Sequence, residues 1–158
     1  MILRAIPKAA YGLVHEVTRH LLRRPVVAIC AVPRTADGRY LLVRRGDNGM
    51  WALPGGTLEW GETLALALSR ELEEEAGVTR LELVRVLGAW SAPGRDVRFH
   101  SVTIGVEVRV DAPSKSPMNP LEIREARLFD EAALPPKLSF DHQDILAVVR
   151  GGEAAVLE

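Results

Sequence analysis

Apolar positions recur at helical spacing from Ala9 to Arg24, with Leu13, Val17, His20 and Leu21 near one face, and the run stops before Pro25 as helices tend to. The next segment, VVAICAV (26–32), is continuously apolar, the pattern of a strand covered on both faces. Asp37–Gly38 separates it from RYLLVRR (39–45), and a DG pair between two apolar runs signals a hairpin. WALPGG (51–56) leads into a loop. ETLALALSRELEEEA (62–76) consists almost wholly of good helix formers, with Gly77 placed to end it. Two strand-like runs follow, at 81–90 and 97–110. In the second, Val102, Ile104, Val106, Val108 and Val110 alternate with Thr103, Glu107 and Arg109. The Pro/Ser-rich stretch 111–120 is a loop, EIREARLF (122–129) another strand, and DHQDILAVVR (141–150) a final helix opening near Asp141. Strands and helices interleave, which defines an α/β class: one domain over 25–158, preceded by a helical extension over 1–24 suited to packing or dimerisation.

The helix at 62–76 poses an electrostatic problem. Glu71, Glu73, Glu74 and Glu75 crowd its last turns, where the helix dipole is already negative. With 100° per residue and Glu71 at the origin, Glu75 falls at roughly 40° and Glu74 at roughly −60°, while Glu73 points away. Three carboxylates thus share one edge, beside the stripe of Leu64, Leu68, Leu72 and Ala76 that must pack inward. Like charges at this spacing repel by roughly 3 kcal/mol at an effective dielectric of 20, and the dipole adds up to about 1 kcal/mol per charge. Two readings satisfy the pattern: a solvated acidic face, or a hard divalent cation supplying the missing positive charge. Helix charge alone does not choose between them.

Composition narrows the field. The 158 residues are 47% apolar and 26% charged, with a net charge of −1. A general nucleic-acid or membrane binder would carry a basic excess, so neither partner is expected. The single cysteine, Cys30, lies inside the apolar run and is expected to be a buried, reduced thiol, consistent with a cytoplasmic location. No signal peptide or run of about 20 apolar residues is visible. His15, Glu16 and His20 do not form a zinc helix, because histidines five positions apart lie about 140° from each other on the wheel.

The surroundings of the glutamates choose between the readings. Gly56, five residues, Glu62, seven residues, Arg70–Glu71–Leu72, one residue, Glu74–Glu75, one residue and Gly77–Val78 resemble the Nudix box at every defined position. The WALPGG lead-in and the order of strands extend the resemblance over roughly 25–150. It implies the Nudix fold, an α/β/α sandwich with a mixed sheet. It also implies hydrolysis of a pyrophosphate bond in a nucleoside diphosphate linked to another group, assisted by Mg²⁺ or Mn²⁺. Carried over, Glu71, Glu74, Glu75 and the Gly56 carbonyl would hold the metal, and Glu74 or Glu75 would help activate water. Glu62 and Arg70 would form the structural pair tying loop to helix. A further acidic residue beyond the box is expected at Glu122, with Glu125 and Glu107 behind it.

For the linked group, SAPGRDVRFH (91–100) is informative. Pro93 stands sixteen residues past Gly77, and Pro93, Arg95, Asp96, Arg98 and His100 resemble a P-x-R-D-x-R-x-H segment of ADP-ribose-type members. LSFDH (138–142) resembles a C-terminal feature of the same branch and of related regulators. Arg95 or Arg98 would clamp a phosphate, or else brace the loop against an aspartate. The resemblance therefore implies ADP-ribose or a similar nucleotide sugar. The alternatives are a MutT-like nucleoside-triphosphate pyrophosphohydrolase and a non-catalytic nucleotide sensor. The intact box weighs against the sensor. The partner implied is a small nucleotide, and a homodimer is in keeping with the family.

Overall fold

Strand β1 (Val26–Arg34) lies at the centre of the sheet because both of its faces are apolar. Ile29 and Ala31 enter one hydrophobic cluster, Cys30 and Val32 the other, and all four are buried. The computed structural model describes residues 24–158 and, ahead of them, only Gly12, Val14, Val17 and Thr18, which are helical. Apart from those four positions and Arg24, which is not helical, the helix expected over 9–24 lies outside the described residues.

β1 pairs antiparallel with β2 (Tyr40–Arg45) and β4 (Gly55–Thr57), and parallel with β6 (Ser101–Val110). β2 also carries β3 (Trp51–Ala52) and β7 (Ile123–Phe129), both antiparallel. Beyond β6 come antiparallel β5 (Leu81–Trp90) and then β8 (Val156–Leu157), which runs parallel to β5. The result is one mixed eight-stranded sheet.

Helix α1 (Leu64–Ala76) covers one face of it and helix α2 (His142–Gly151) the other. Ala67, Leu68, Leu72 and Ala76 of α1 pack on Ile29, Leu41, Val43, Val106 and Val108. Ile145, Leu146, Val148 and Val149 of α2 pack on Cys30, Val32, Tyr40, Leu42 and Trp90. Each fully buried leucine or isoleucine contributes roughly 1.5–3 kcal/mol. This is the α/β/α sandwich the sequence implied. The valine alternation of β6 also holds, since Val106, Val108 and Val110 all point to the α1 face.

Boundaries differ where side chains compete with the repeat. α1 starts at Leu64 rather than 62 because the Thr63 hydroxyl caps it, accepting from the Leu66 N–H at 3.3 Å. It ends in a Schellman turn: Gly77, at φ 64°, donates to the Glu73 carbonyl, and the Val78 N–H reaches the Leu72 carbonyl at 3.1 Å. β6 begins at Ser101 rather than 97, because the residues before it are drawn into ion pairs rather than the ladder. β7 opens at Ile123 and α2 at His142. The lead-in to the box holds two short strands, β3 and β4, where a loop was expected. No helix of the described residues is long and apolar enough to cross a membrane.

Candidate active site

The helical stripe buried on α1 is shifted from the one expected. Ala67, Leu68, Glu71, Leu72, Glu75 and Ala76 are buried, while Leu64 is exposed. Glu71 and Glu75 therefore stand inside the packed face rather than beside it. Glu74 lies at its margin with a half-exposed side chain, and Glu73 points outward to Lys115 Nζ at 2.8 Å.

Each buried carboxylate has a partner. Strand β4 passes so close to α1 that a side chain at Gly56 would collide with the Glu71 carboxylate. Arg70 Nη1 donates to Glu71 Oε1 at 2.8 Å and lies 3.5 Å from Glu74 Oε2. Its Nε and Nη2 fork onto Glu62 at 2.9 and 3.0 Å, and Nη2 also reaches the Thr57 carbonyl at 3.2 Å. Glu62 and Arg70 thus join the loop to the helix. On the other side, the Gly55 N–H donates to Glu75 Oε2 at 2.9 Å.

These partners do not neutralise the cluster. Burial pushes the Glu71 carboxyl above its ordinary range, with Arg70 opposing and Glu74 and Glu122 adding to the rise. Glu75 is pushed up to about 8, first by burial and then by Glu71 and Glu122, against the pull of the Gly55 N–H and Arg45. Glu122, exposed just ahead of β7, is thereby close enough for its charge to act on both. Its loop is fixed by the Gly46 N–H, which donates to the Glu122 carbonyl at 2.6 Å. The other two acidic candidates are spent elsewhere: Glu125 on Arg44 and Arg127, Glu107 on Arg34 and Arg85.

Among the described residues no three His, Cys, Asp or Glu side chains are gathered closely enough to enclose an ion, because Arg70 draws Glu71 and Glu74 one way and Gly55 holds Glu75 another. The donor chemistry nevertheless fits a hard divalent cation. The site offers oxygen ligands only, carries a surplus of negative charge, and lies where no side chain at Gly56 intrudes.

Glu75 lines a cleft of about 660 Å³, open solvent included, together with Ala28, Ile29, Cys30 and Leu53. Arg95 and Arg98 both line it. The Arg95 guanidinium is taken up within the protein, by Glu158 (2.5 Å), Asp144 (2.9 Å) and the Asp141 carbonyl (3.1 Å). Glu158 also accepts from the Ser91 and Ala92 N–H groups at 2.8 and 2.7 Å, so it pins the 91–95 loop. Arg98 forks onto Asp96 at 3.0 and 2.7 Å, yet its side chain remains half-exposed. Sequence reasoning missed Arg45, which lines the cleft, forks onto Asp47 at 2.9 and 2.7 Å and is nearly buried. Nothing in RYLLVRR distinguishes the second arginine from the first. The β-bulge at Arg44/Arg45 turns it inward.

His142 closes the back of the cleft, with Nδ1 accepting from the Leu53 N–H at 3.2 Å and the Cys30 sulfur 3.9 Å from both ring nitrogens. Burial, then Arg45 and Arg95, push its pKa down to about 4. Burial likewise pushes the Cys30 thiol up, leaving it inert. A depressed folded pKa means that this stability is complete above the ordinary histidine pKa of 6.5 and lost as pH falls through about 4. Urea unfolding at pH 7 and pH 4 should show an acid-linked loss of roughly 1–3 kcal/mol that His142→Gln lacks. Parallel pH profiles for the two proteins would contradict the enclosure of the ring.

An α/β/α sandwich with a buried carboxylate in a cleft lined by Arg45, Arg95 and Arg98 is suited to a phosphate-bearing anion. The sequence profile of the NUDIX domain matches residues 23–149, and the chain belongs to the Nudix family as a Nudix pyrophosphohydrolase. Nudix hydrolases generally depend on divalent metals. The chain is 36% identical over 136 residues to the ADP-ribose pyrophosphatase of Methanocaldococcus jannaschii, a match covering 80% of this chain and 73% of that one. Among solved structures it is similar to a NUDIX hydrolase from Nitrosomonas europaea, at 27% identity and a TM-score of 0.70, over 85% of this chain and 78% of that one. The NUDIX domain of Shewanella oneidensis NrtR, complexed with ADP ribose, shares the fold at 22% identity and a TM-score of 0.66, over 93% and 99% of the two chains.

Proposed function

We propose that residues 25–158 form a magnesium- or manganese-dependent hydrolase of ADP-ribose or a closely similar nucleotide sugar. The observation that carries this reading is Glu75, a buried carboxylate that lines the same cleft as Arg45 and Arg98. Glu71, Glu74, Glu75, the Gly56 carbonyl and Glu122 would hold the metal. A bound divalent ion supplies charge neutralisation for the pyrophosphate and lowers the pKa of water.

The chain's own groups do the rest. Arg98 and Arg45 receive the phosphates and orient the scissile bond. Glu74 or Glu75, once ionised beside the metal, takes the proton of the attacking water. Arg70 and Glu62 keep the glycine loop against α1 while this happens. Arg95 serves by holding the 91–100 loop in place. ADP-ribose is favoured by the named relative that matches most of the chain.

A panel of ADP-ribose, nucleotide sugars, dinucleotides and nucleoside triphosphates, each assayed with magnesium, tests the reading. AMP and ribose 5-phosphate should appear from ADP-ribose, with chelator abolishing release and added magnesium or manganese restoring it. Preferential release of pyrophosphate from triphosphates would move the assignment to nucleotide house-cleaning. Binding without turnover would move it to sensing.

A further inference from the structure

Phe140 and Asp141 both adopt left-handed backbone conformations, at φ 59° and φ 53°. Neither is glycine, and such residues cost on the order of 1–3 kcal/mol each. Helix capping does not explain them, because Asp141 makes no side-chain cap bond at the start of α2. The surrounding structure imposes the turn. Arg95 Nη1 holds the Asp141 carbonyl at 3.1 Å, the Leu138 N–H donates to Gln143 Oε1 at 3.2 Å, and Asn48 Nδ2 donates to Ser139 Oγ at 3.0 Å.

The turn delivers the Phe140 ring to the cleft. There the guanidinium carbons of Arg45 and Arg98 lie 4.6 and 4.9 Å from the ring centroid, both within cation–π range. Two cations sharing one ring is an arrangement with a purpose in this setting. Asp47 and Asp96 fork onto the same two guanidinium groups, so each arginine is held between a carboxylate and the ring.

We propose that Phe140 is a positioning residue: its strained turn holds one aromatic ring against both Arg45 and Arg98 and, together with Asp47 and Asp96, fixes their guanidinium groups where they receive the substrate's pyrophosphate. This rests on the pyrophosphohydrolase reading above. Phe140 touches no reacting atom in this account; it acts through the two arginines, and its effect belongs to substrate binding.

Three variants of the full chain test it: Phe140→Leu, Phe140→Gly and Phe140→Trp, assayed on ADP-ribose with magnesium beside the wild type. Phe140→Leu should raise KM about tenfold while kcat falls less than threefold. Phe140→Gly should raise KM as much, yet melt at or above the temperature of Phe140→Leu, because glycine relieves the left-handed strain. Phe140→Trp should return KM to within about threefold of wild type. Calorimetric binding of inorganic pyrophosphate with magnesium should weaken about tenfold in the Leu and Gly variants, a readout independent of turnover. Failure of the wild type to cleave ADP-ribose would count against the substrate assignment alone, since pyrophosphate binding still decides the role of Phe140. Unchanged pyrophosphate affinity and KM in folded Leu or Gly variants, or a loss confined to kcat, would overturn the proposal.

Discussion

Glu75→Gln is expected to lower kcat by about a hundredfold to ten-thousandfold while leaving the fold intact. Glutamine matches the shape of glutamate and still accepts the Gly55 N–H, so the buried face of α1 keeps its packing. What disappears is the charge, and with it both a metal ligand and a proton acceptor. Stability should move in the opposite direction. A carboxyl pushed up to about 8 in the fold, against an ordinary 4.5, carries no penalty below 4.5 and an increasing one as pH rises towards 8. In chelator, the Gln variant should therefore melt above wild type at pH 7.5 and show a flatter pH dependence between 4.5 and 8. Glu74→Gln should lose turnover as well, without that gain, because its side chain is half-exposed. Near-wild-type rates from both variants would remove the glutamates from the chemistry.

Gly56→Ala should lower kcat/KM at least about a hundredfold with a stability loss of only about 1 kcal/mol. The added methyl meets the end of the Glu71 side chain rather than backbone, so the fold can yield by displacing that carboxylate. Displacement takes Glu71 from the place where β4 and Arg70 hold it. Gly77→Ala makes the contrasting case, because a Cβ there strikes the Lys115 backbone at a left-handed φ. Its damage should appear as lost stability. Measuring melting temperature and magnesium-dependent kinetics on both variants separates the two effects, and wild-type kcat/KM in Gly56→Ala would show that the position of Glu71 is immaterial.

Much of this could be read from the chain because the relevant signals are short-range. The both-sided apolar run of β1, the valine alternation of β6 and the leucine-rich α1 are periodic patterns, and periodicity follows directly from burial. The candidate glutamates and the Glu62–Arg70 pair sit at fixed spacings on one loop and helix, so spacing alone could single them out. The rest depends on long-range contact. The two residues of β8 gain their identity only by lying along Gly88 and Ala89, and no local pattern announces them. Arg45 turns into the cleft because of a bulge against β7, and Arg95 becomes a brace because Glu158 and Asp144 arrive from distant parts of the chain. The left-handed turn at Phe140–Asp141 contradicts local preference altogether, which is why the sequence pattern starts the helix near Asp141 and does not foresee the turn before it.

The parallel pairing of β1 with β6 sets a timetable for assembly. Val26 meets Ser101 and Arg34 meets Arg109, so the whole of α1 lies in the loop that this contact closes. Closing a loop of that length is entropically slow compared with forming a helix or hairpin. On the ribosome, the glutamate helix emerges well before the strand that completes the sheet beneath it. Its carboxylates must wait in water, uncommitted to the interior, until residues beyond Val110 have been made.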